Sequence, residues 1–198
     1  MSRSAKAVRA IGATSLALML TACGSDGSGG GGANAADAAY ARSVTQHHAQ
    51  TLQLINLPSI HTLPTAVWAW TDPVRTQQLA ELTRAVRLLR GWHESIPETG
   101  LHHIDEGSQP RFDTSIPGVL TPQQVDSLAN LRGSRLQRAW LQLFITHEQG
   151  AIRLAQREVA GGQEPVTVDS AQQDVQRHRR LLAKLRRLLA SAKPLPPR

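Results

Sequence analysis

Two octets lying 100 residues apart in the chain hold its most informative ligand-capable side chains. They are His47-His48-Ala49-Gln50-Thr51-Leu52-Gln53-Leu54 and His147-Glu148-Gln149-Gly150-Ala151-Ile152-Arg153-Leu154. Each opens on a histidine followed by a second polar residue that can hold a proton or an ion. An aromatic precedes each first histidine by seven positions (Tyr40, Trp140), and an apolar residue precedes it by three (Val44, Phe144). This is an internal repeat, so two copies of one helical unit are expected to fold on each other and bring the histidine turns together. A further polar run, His102-His103-Ile104-Asp105-Glu106, lies in the connection between the halves. Neighbouring side chains seldom converge on one ion without a shaped loop, so it reads as a solvated polar loop. Catalytic signatures are missing. No glutamate is followed three positions later by histidine, as di-iron bundles require, and there is no His-Glu-x-x-His or Gly-x-Ser-x-Gly. An enzyme is not expected.

The elements that must position these residues read as helices throughout. Tyr40, Val44, Leu52 and Leu54 or Ile55 give one buried face over 37–57, with both histidines in its middle. Thr71-Asp72-Pro73 is a helix start with an early proline, and Leu79, Leu82, Val86 and Leu89 follow as a stripe. Thr121-Pro122-Gln123-Gln124 fits a capping box for a short helix. The longest pattern runs from about Ser134 to Ala160 and closes at Gly161-Gly162. A last helix is expected over about Asp169 to Ala190, with Val175, Leu182, Leu185 and Leu189 inward. No alternating strand pattern stands out. The expected fold is all-α: a four-helix bundle of two repeated hairpins, about 37–95 and 121–190, with an extra short helix between them. A Pro-rich tail, 191–198, follows.

The N-terminus carries an address. Arg3, Lys6 and Arg9 precede the apolar run Ala10 to Leu18, too short to remain as a bilayer span, and Leu20-Thr21-Ala22-Cys23 follows. Residues 1–22 therefore read as a lipoprotein signal peptide with Cys23 as the lipidated first mature residue, and 23–36 as a Gly/Ser-rich tether. Cys23 is the only cysteine, and both methionines, Met1 and Met19, lie in the signal. The domain thus has no sulfur ligand, no disulfide and no thiol nucleophile. The expected location is the extracytoplasmic side of the cell membrane, lipid-anchored. The chain has 22 Lys and Arg against 15 Asp and Glu; three of the cations precede Cys23, so the remainder carries +4. That excess is no argument for nucleic-acid binding in an exported protein.

The repeated signatures resemble those of the exported bacterial "domain of unknown function 305" family. That family's pattern is an aromatic, then Met-x-x-His-His-x-Gln-Ala, later Pro-Gly-Met and Phe-x-x-x-Met-x-x-His-His-x-Gly-Ala. Val44 to Leu54, Ile116-Pro117-Gly118-Val119-Leu120-Thr121 and Phe144 to Ile152 are similar to it, and the resemblance covers about Asp37 to Leu189. It implies a ferritin-like bundle and a link to copper in some members. Departures are plain. The family's methionines stand here as Val44, Leu54, Val119, Phe144 and Leu154, and the second histidine of its second pair is Glu148. The Gln-x-x-Glu-Ile motif of the closing helix reads His178-Arg179-Arg180-Leu181-Leu182, and no matching polar pair is expected around Ala85 to Leu89 in the first half. Without thioethers the Cu(I) preference goes. The remaining candidate metal ligands are His47, His48, His147, Glu148 and His178, a set suited to Cu(II) or Zn(II). Adjacent helical residues point about 100° apart, so His47 and His48 are not expected to face one ion together; one from each pair with His178 is the expected set. The rival expectation is a scaffold that kept the fold and lost the site.

A metal-free role would need a partner surface. Arg177, Arg179, Arg180, Lys184, Arg186 and Arg187 make the last helix basic, suited to anionic lipid or an acidic envelope protein, or simply a solvated face. Trp68 and Trp70 read as either a contact patch or a cap on the bundle core.

Overall fold

In the computed structural model, residues 32–99 and 111–193 are described. The signal, Cys23 and the His102–Glu106 run lie outside them. Four long helices make the body: α1 (Ala35–Ile55), α3 (Thr71–Gly91), α5 (Gly133–Gly161) and α6 (Pro165–Ser191). Between them lie a 3-10 helix (Pro58–Thr62) and the short helices α2 (Thr65–Trp68) and α4 (Pro122–Asp126). No strand occurs among the described residues. The α1–α3 hairpin packs on the α5–α6 hairpin chiefly through α1 against α5.

Local chemistry explains most boundaries. Asn34 caps α1, its side chain accepting from the amides of Ala36 and Asp37 while Asp37 returns a bond to the Asn34 amide. Structure therefore starts three residues before the expected Asp37. Thr121 and Gln124 form the expected capping box of α4. Helix α6 begins at Pro165, a turn ahead of expectation, because Pro at the first position and the Glu164 side chain start it. The start of α3 is correctly placed, but no side chain caps it.

The core is layered along the bundle. Toward one pole, Leu54, Ile55, Trp70, Trp140, Phe144 and Leu185 form an apolar cluster. Trp70 lies 5.6 Å from Trp140 and 5.3 Å from Phe144, ring to ring, so it belongs to the core, with half-buried Trp68 packed against it. Toward the other pole, Tyr40, Val44, Ala85, Leu154 and Val175 form a second cluster. Between the two lies a polar layer. The face of α3 differs from the expected stripe: Gln78, Glu81, Ala85 and Leu89 are buried, while Leu79 is 46% exposed. Glu81 turns inward because His48 and Arg177 stand beside it there, Gln78 lies on the same face one turn earlier, and Leu79 is displaced to solvent.

A candidate metal centre in the polar layer

Helix α1 carries His47 and His48 into the layer, α3 carries Glu81, α5 carries His147 and Glu148, and α6 carries His178. All six side chains are buried. The five residues expected from sequence are thus brought together; Glu81 is the one the sequence reading missed. Its signal was present one turn earlier than expected, in Gln78-x-x-Glu81-Leu82, the same spacing as the family's closing-helix motif.

His147 is the structural member. Its Nδ1 lies 2.9 Å from the Gly118 carbonyl and its Nε2 2.9 Å from the Thr51 hydroxyl. A carbonyl only accepts, so Nδ1–H is the donor, and the single Thr51 hydroxyl proton is shared between Nε2 and the His47 carbonyl, 3.2 Å away. Both nitrogens of His147 thus have hydrogen-bond partners. The loop reaches it through glycines. Gly118 sits at φ +87° with its backbone against Gly150, where a Cβ on either residue would strike the other's backbone. Gln50 then clamps the same loop, donating to the Leu120 carbonyl at 2.8 Å and accepting from its amide at 2.7 Å.

The other three histidines share one pattern. His178 Nδ1 stands 2.6 Å from Glu148 Oε2, His48 Nε2 stands 3.2 Å from Glu81 Oε2, and His47 Nε2 stands 3.1 Å from the His147 carbonyl. The His48–Glu81 approach is an ion-pair distance whose alignment falls short of a hydrogen bond. For His47 and His178 an acceptor takes the N–H of one ring nitrogen, while His48 is held beside Glu81 at ion-pair distance only. The second nitrogens, His47 Nδ1 and His48 Nδ1, are buried without a hydrogen-bond partner, and His178 Nε2 makes no hydrogen bond. Glu148 is therefore the acceptor that orients His178. His47 and His48 both enter the cluster: their ring centroids lie 6.4 Å apart, His47 to His178 is 6.4 Å, and His48 to His178 is 6.2 Å. His47 also stacks on His147 at 3.7 Å.

Electrostatics favour neutral imidazoles. Burial pushes His47 well below its ordinary pKa, reinforced by the neighbouring histidines, and burial likewise lowers His48 against the pull of Glu81. Burial lowers His147 to about 4. For Glu81, burial alone would raise the carboxyl, but His48, Gln77 and Arg177 outweigh it and hold it down at about 2. Arg177 bridges Glu81 and Asp174, and Tyr40 donates to Asp174 at 2.5 Å. Arg177 is thus part of the core network and not of the outer basic face where the sequence reading put it.

As donors the cluster is chemically apt but not closed. Among the described residues, no three His, Cys, Asp or Glu side chains are already gathered as a ligand set. A surface pocket of about 470 Å³, lined by Leu57, Pro58, Val125, Leu128 and Arg132 among others, lies toward the Trp140 pole, away from the histidines.

A family model described as "Domain of unknown function (DUF305)" matches residues 37–189. The chain belongs to the DUF305 family. Among solved structures it is similar to a protein of Streptomyces coelicolor described as a secreted DUF305 protein. Identity there is 20%, the match covers 79% of this chain and 92% of that one, and the TM-score is 0.66. A DUF305 fragment from Deinococcus radiodurans is also 20% identical, covering 80% of this chain and 97% of that one at a TM-score of 0.65. These likenesses establish the shared helical fold. No curated protein matches. No described helix is long and apolar enough to cross a membrane.

Proposed function

We propose that this DUF305 member is a lipid-anchored bundle on the extracytoplasmic side of the membrane that binds a divalent ion, Cu(II) or Zn(II), through His47, His48 and His178. The observation that carries the reading is the nitrogen pattern. His47 and His178 each meet an acceptor, a carbonyl and a carboxylate, through one ring nitrogen, His48 stands beside the Glu81 carboxylate at 3.2 Å, and the other nitrogen of each ring has no hydrogen-bond partner. Metal-bound histidines are oriented in this way, by an outer acceptor on the far nitrogen. Neutral imidazole is also the form that ligates, and burial holds His47 and His48 neutral.

The spacing is slightly open. Centroids 6.2–6.4 Å apart stand about 3.7 Å from their common centre, against about 3.2 Å for an imidazole on a bound ion. Binding would draw each ring inward by about half an ångström. With nitrogen donors and no thioether, Cu(I) is disfavoured. The role is binding rather than catalysis.

The test is titration of the untagged chain, without residues 1–22 and with Cys23→Ser, by Zn(II) and Cu(II), reading stoichiometry and melting temperature. One ion per chain with a raised melting point is expected, abolished by His47→Ala or His178→Ala. His147→Ala should lower stability yet keep the stoichiometry. Binding that ignores the first two substitutions sinks the assignment, and no binding at all leaves a hydrogen-bonded core with no metal role.

A further inference from the structure

The two poles of the bundle differ in charge. The chain enters at Asn34, beside the α5–α6 turn, where the Asn34 side chain donates to the Gly161 carbonyl at 2.8 Å. The opposite pole holds the start of α5 and the end of α6. From 127 to 147 and from 175 to 193 the sequence has no acidic residue. Arg179, Arg180, Lys184, Arg186 and Arg187 are all exposed on the C-terminal half of α6. Helical geometry places these five within an arc of roughly 160°. None of them has an ion pair among the described residues, unlike Arg177, which the core consumes. The exposed acids at that pole, Asp72 and Asp126, belong to α3 and α4.

From this we infer that the C-terminal half of α6 docks on an anionic phospholipid surface, so that the bundle lies along the membrane rather than standing off it. The orientation, and the preference for lipid over a diffusing acidic protein, rest on Cys23 being the anchor proposed above; the unpaired basic face and its phosphate-matching arginines do not. From Cys23 to Asn34 is 11 residues, a span of at most about 40 Å. Helix α6, of 27 residues, is about 40 Å long. With the bundle upright on its tether, the basic end would stand a full helix length further from the bilayer, beyond the roughly 10 Å reach of its charge. Lying down places five cations at the lipid headgroups, and the tether then has only the width of the bundle to span. An anchored chain meets its own membrane at high effective concentration, which favours lipid over a diffusing acidic protein as the occupant. The arginines suit phosphate geometry as well as phosphate charge.

The experiment uses the chain without residues 1–22 and with Cys23→Ser, so that nothing but the protein surface binds. Its partition is measured onto phosphatidylcholine vesicles with and without 30% phosphatidylglycerol. Binding is expected only to the anionic vesicles, weakening steeply in 0.5 M salt. It should fall several-hundred-fold in the Arg179→Gln/Arg180→Gln/Lys184→Gln/Arg187→Gln variant, from roughly fivefold per cation removed. These positions are exposed, so the variant should keep its helicity and melting point. Equal binding to both vesicle types, no binding, or a variant that binds like the parent overturns the proposal. So does tight binding to polyglutamate without vesicle binding, which would assign the face to an acidic protein. The mass of the mature N-terminal peptide tests Cys23 separately; an unmodified cysteine would remove the anchor and the lying-down geometry while leaving the vesicle result to stand or fall by itself.

Discussion

Each hairpin sets one imidazole against one carboxylate, but the two halves use them in opposite order. His48 on α1 faces Glu81 on α3, while Glu148 on α5 faces His178 on α6. From sequence alone Glu148 looked like an eroded histidine; beside His178 it is half of an exchanged pair. Glu148→Leu should leave the His178 N–H buried and unpaired, costing about 1–3 kcal/mol in denaturant unfolding. It should also weaken metal binding by about 10- to 100-fold, as loss of an outer acceptor does. The double exchange Glu148→His/His178→Glu should recover part of the stability that each single change loses. A double-mutant cycle with no coupling would show that the contact is incidental. Four of the six polar-layer residues were legible because the repeat marks them, and His178 because a family motif falls on it. Glu81 was not, since the strong leucines Leu79 and Leu82 drew the reading of α3 onto another face. Hydropathy fails there because a buried carboxylate is stabilised by partners distant in sequence, His48 and Arg177.

At the scale of elements, the Pro117–Leu120 segment and helix α5 are fitted backbone to backbone. Gly150→Ala would drive a methyl into Pro117 and Gly118, where neighbouring main chain cannot swing aside. We expect a loss of about 3 kcal/mol, the upper end for overpacking. Loosening of the loop that carries the Gly118–His147 bond should accompany it, read as faster exchange of the Val119 amide, which donates to the Ile116 carbonyl. A variant as stable as the parent would mean that this loop does not pack on α5 in solution. The glycine was visible in sequence only as a letter of the motif; its reason is a contact across 32 residues. Helix existence, order and the α4 capping box were legible because caps and prolines act locally. The bounds of α1 and α6 were not, because Asn34 and Glu164 lie in stretches whose composition resembles linker.

For the whole molecule, the buried histidines make stability depend on pH. His47, His48 and His147 have folded pKa values below their ordinary one, so the unfolded chain binds more protons as pH falls beneath about 6.5. Their contribution is complete above that value and is lost on acidification; His147 alone, at about 4, accounts for on the order of 3 kcal/mol. Glu158 works the other way. Burial, then the neighbouring Asp37, raises it to about 8, so its contribution is complete below about 4.5 and is lost as pH rises to 8. Urea midpoints should therefore peak near pH 6.5–7, falling steeply toward pH 4.5 and gently toward pH 8.5. A midpoint at pH 5 equal to that at pH 7 would contradict a closed histidine layer.

The clamp at residue 34 also has a mechanical meaning. Asn34 holds the start of α1 and the end of α5, and Asp37, one turn on, accepts from the amides of Gln163 and Glu164 at the start of α6. A pull on the preceding chain is therefore shared at once among three helix ends. The load shears several bonds in parallel instead of peeling α1 away turn by turn, so whatever holds this protein by its N-terminus pulls on the bundle as one body.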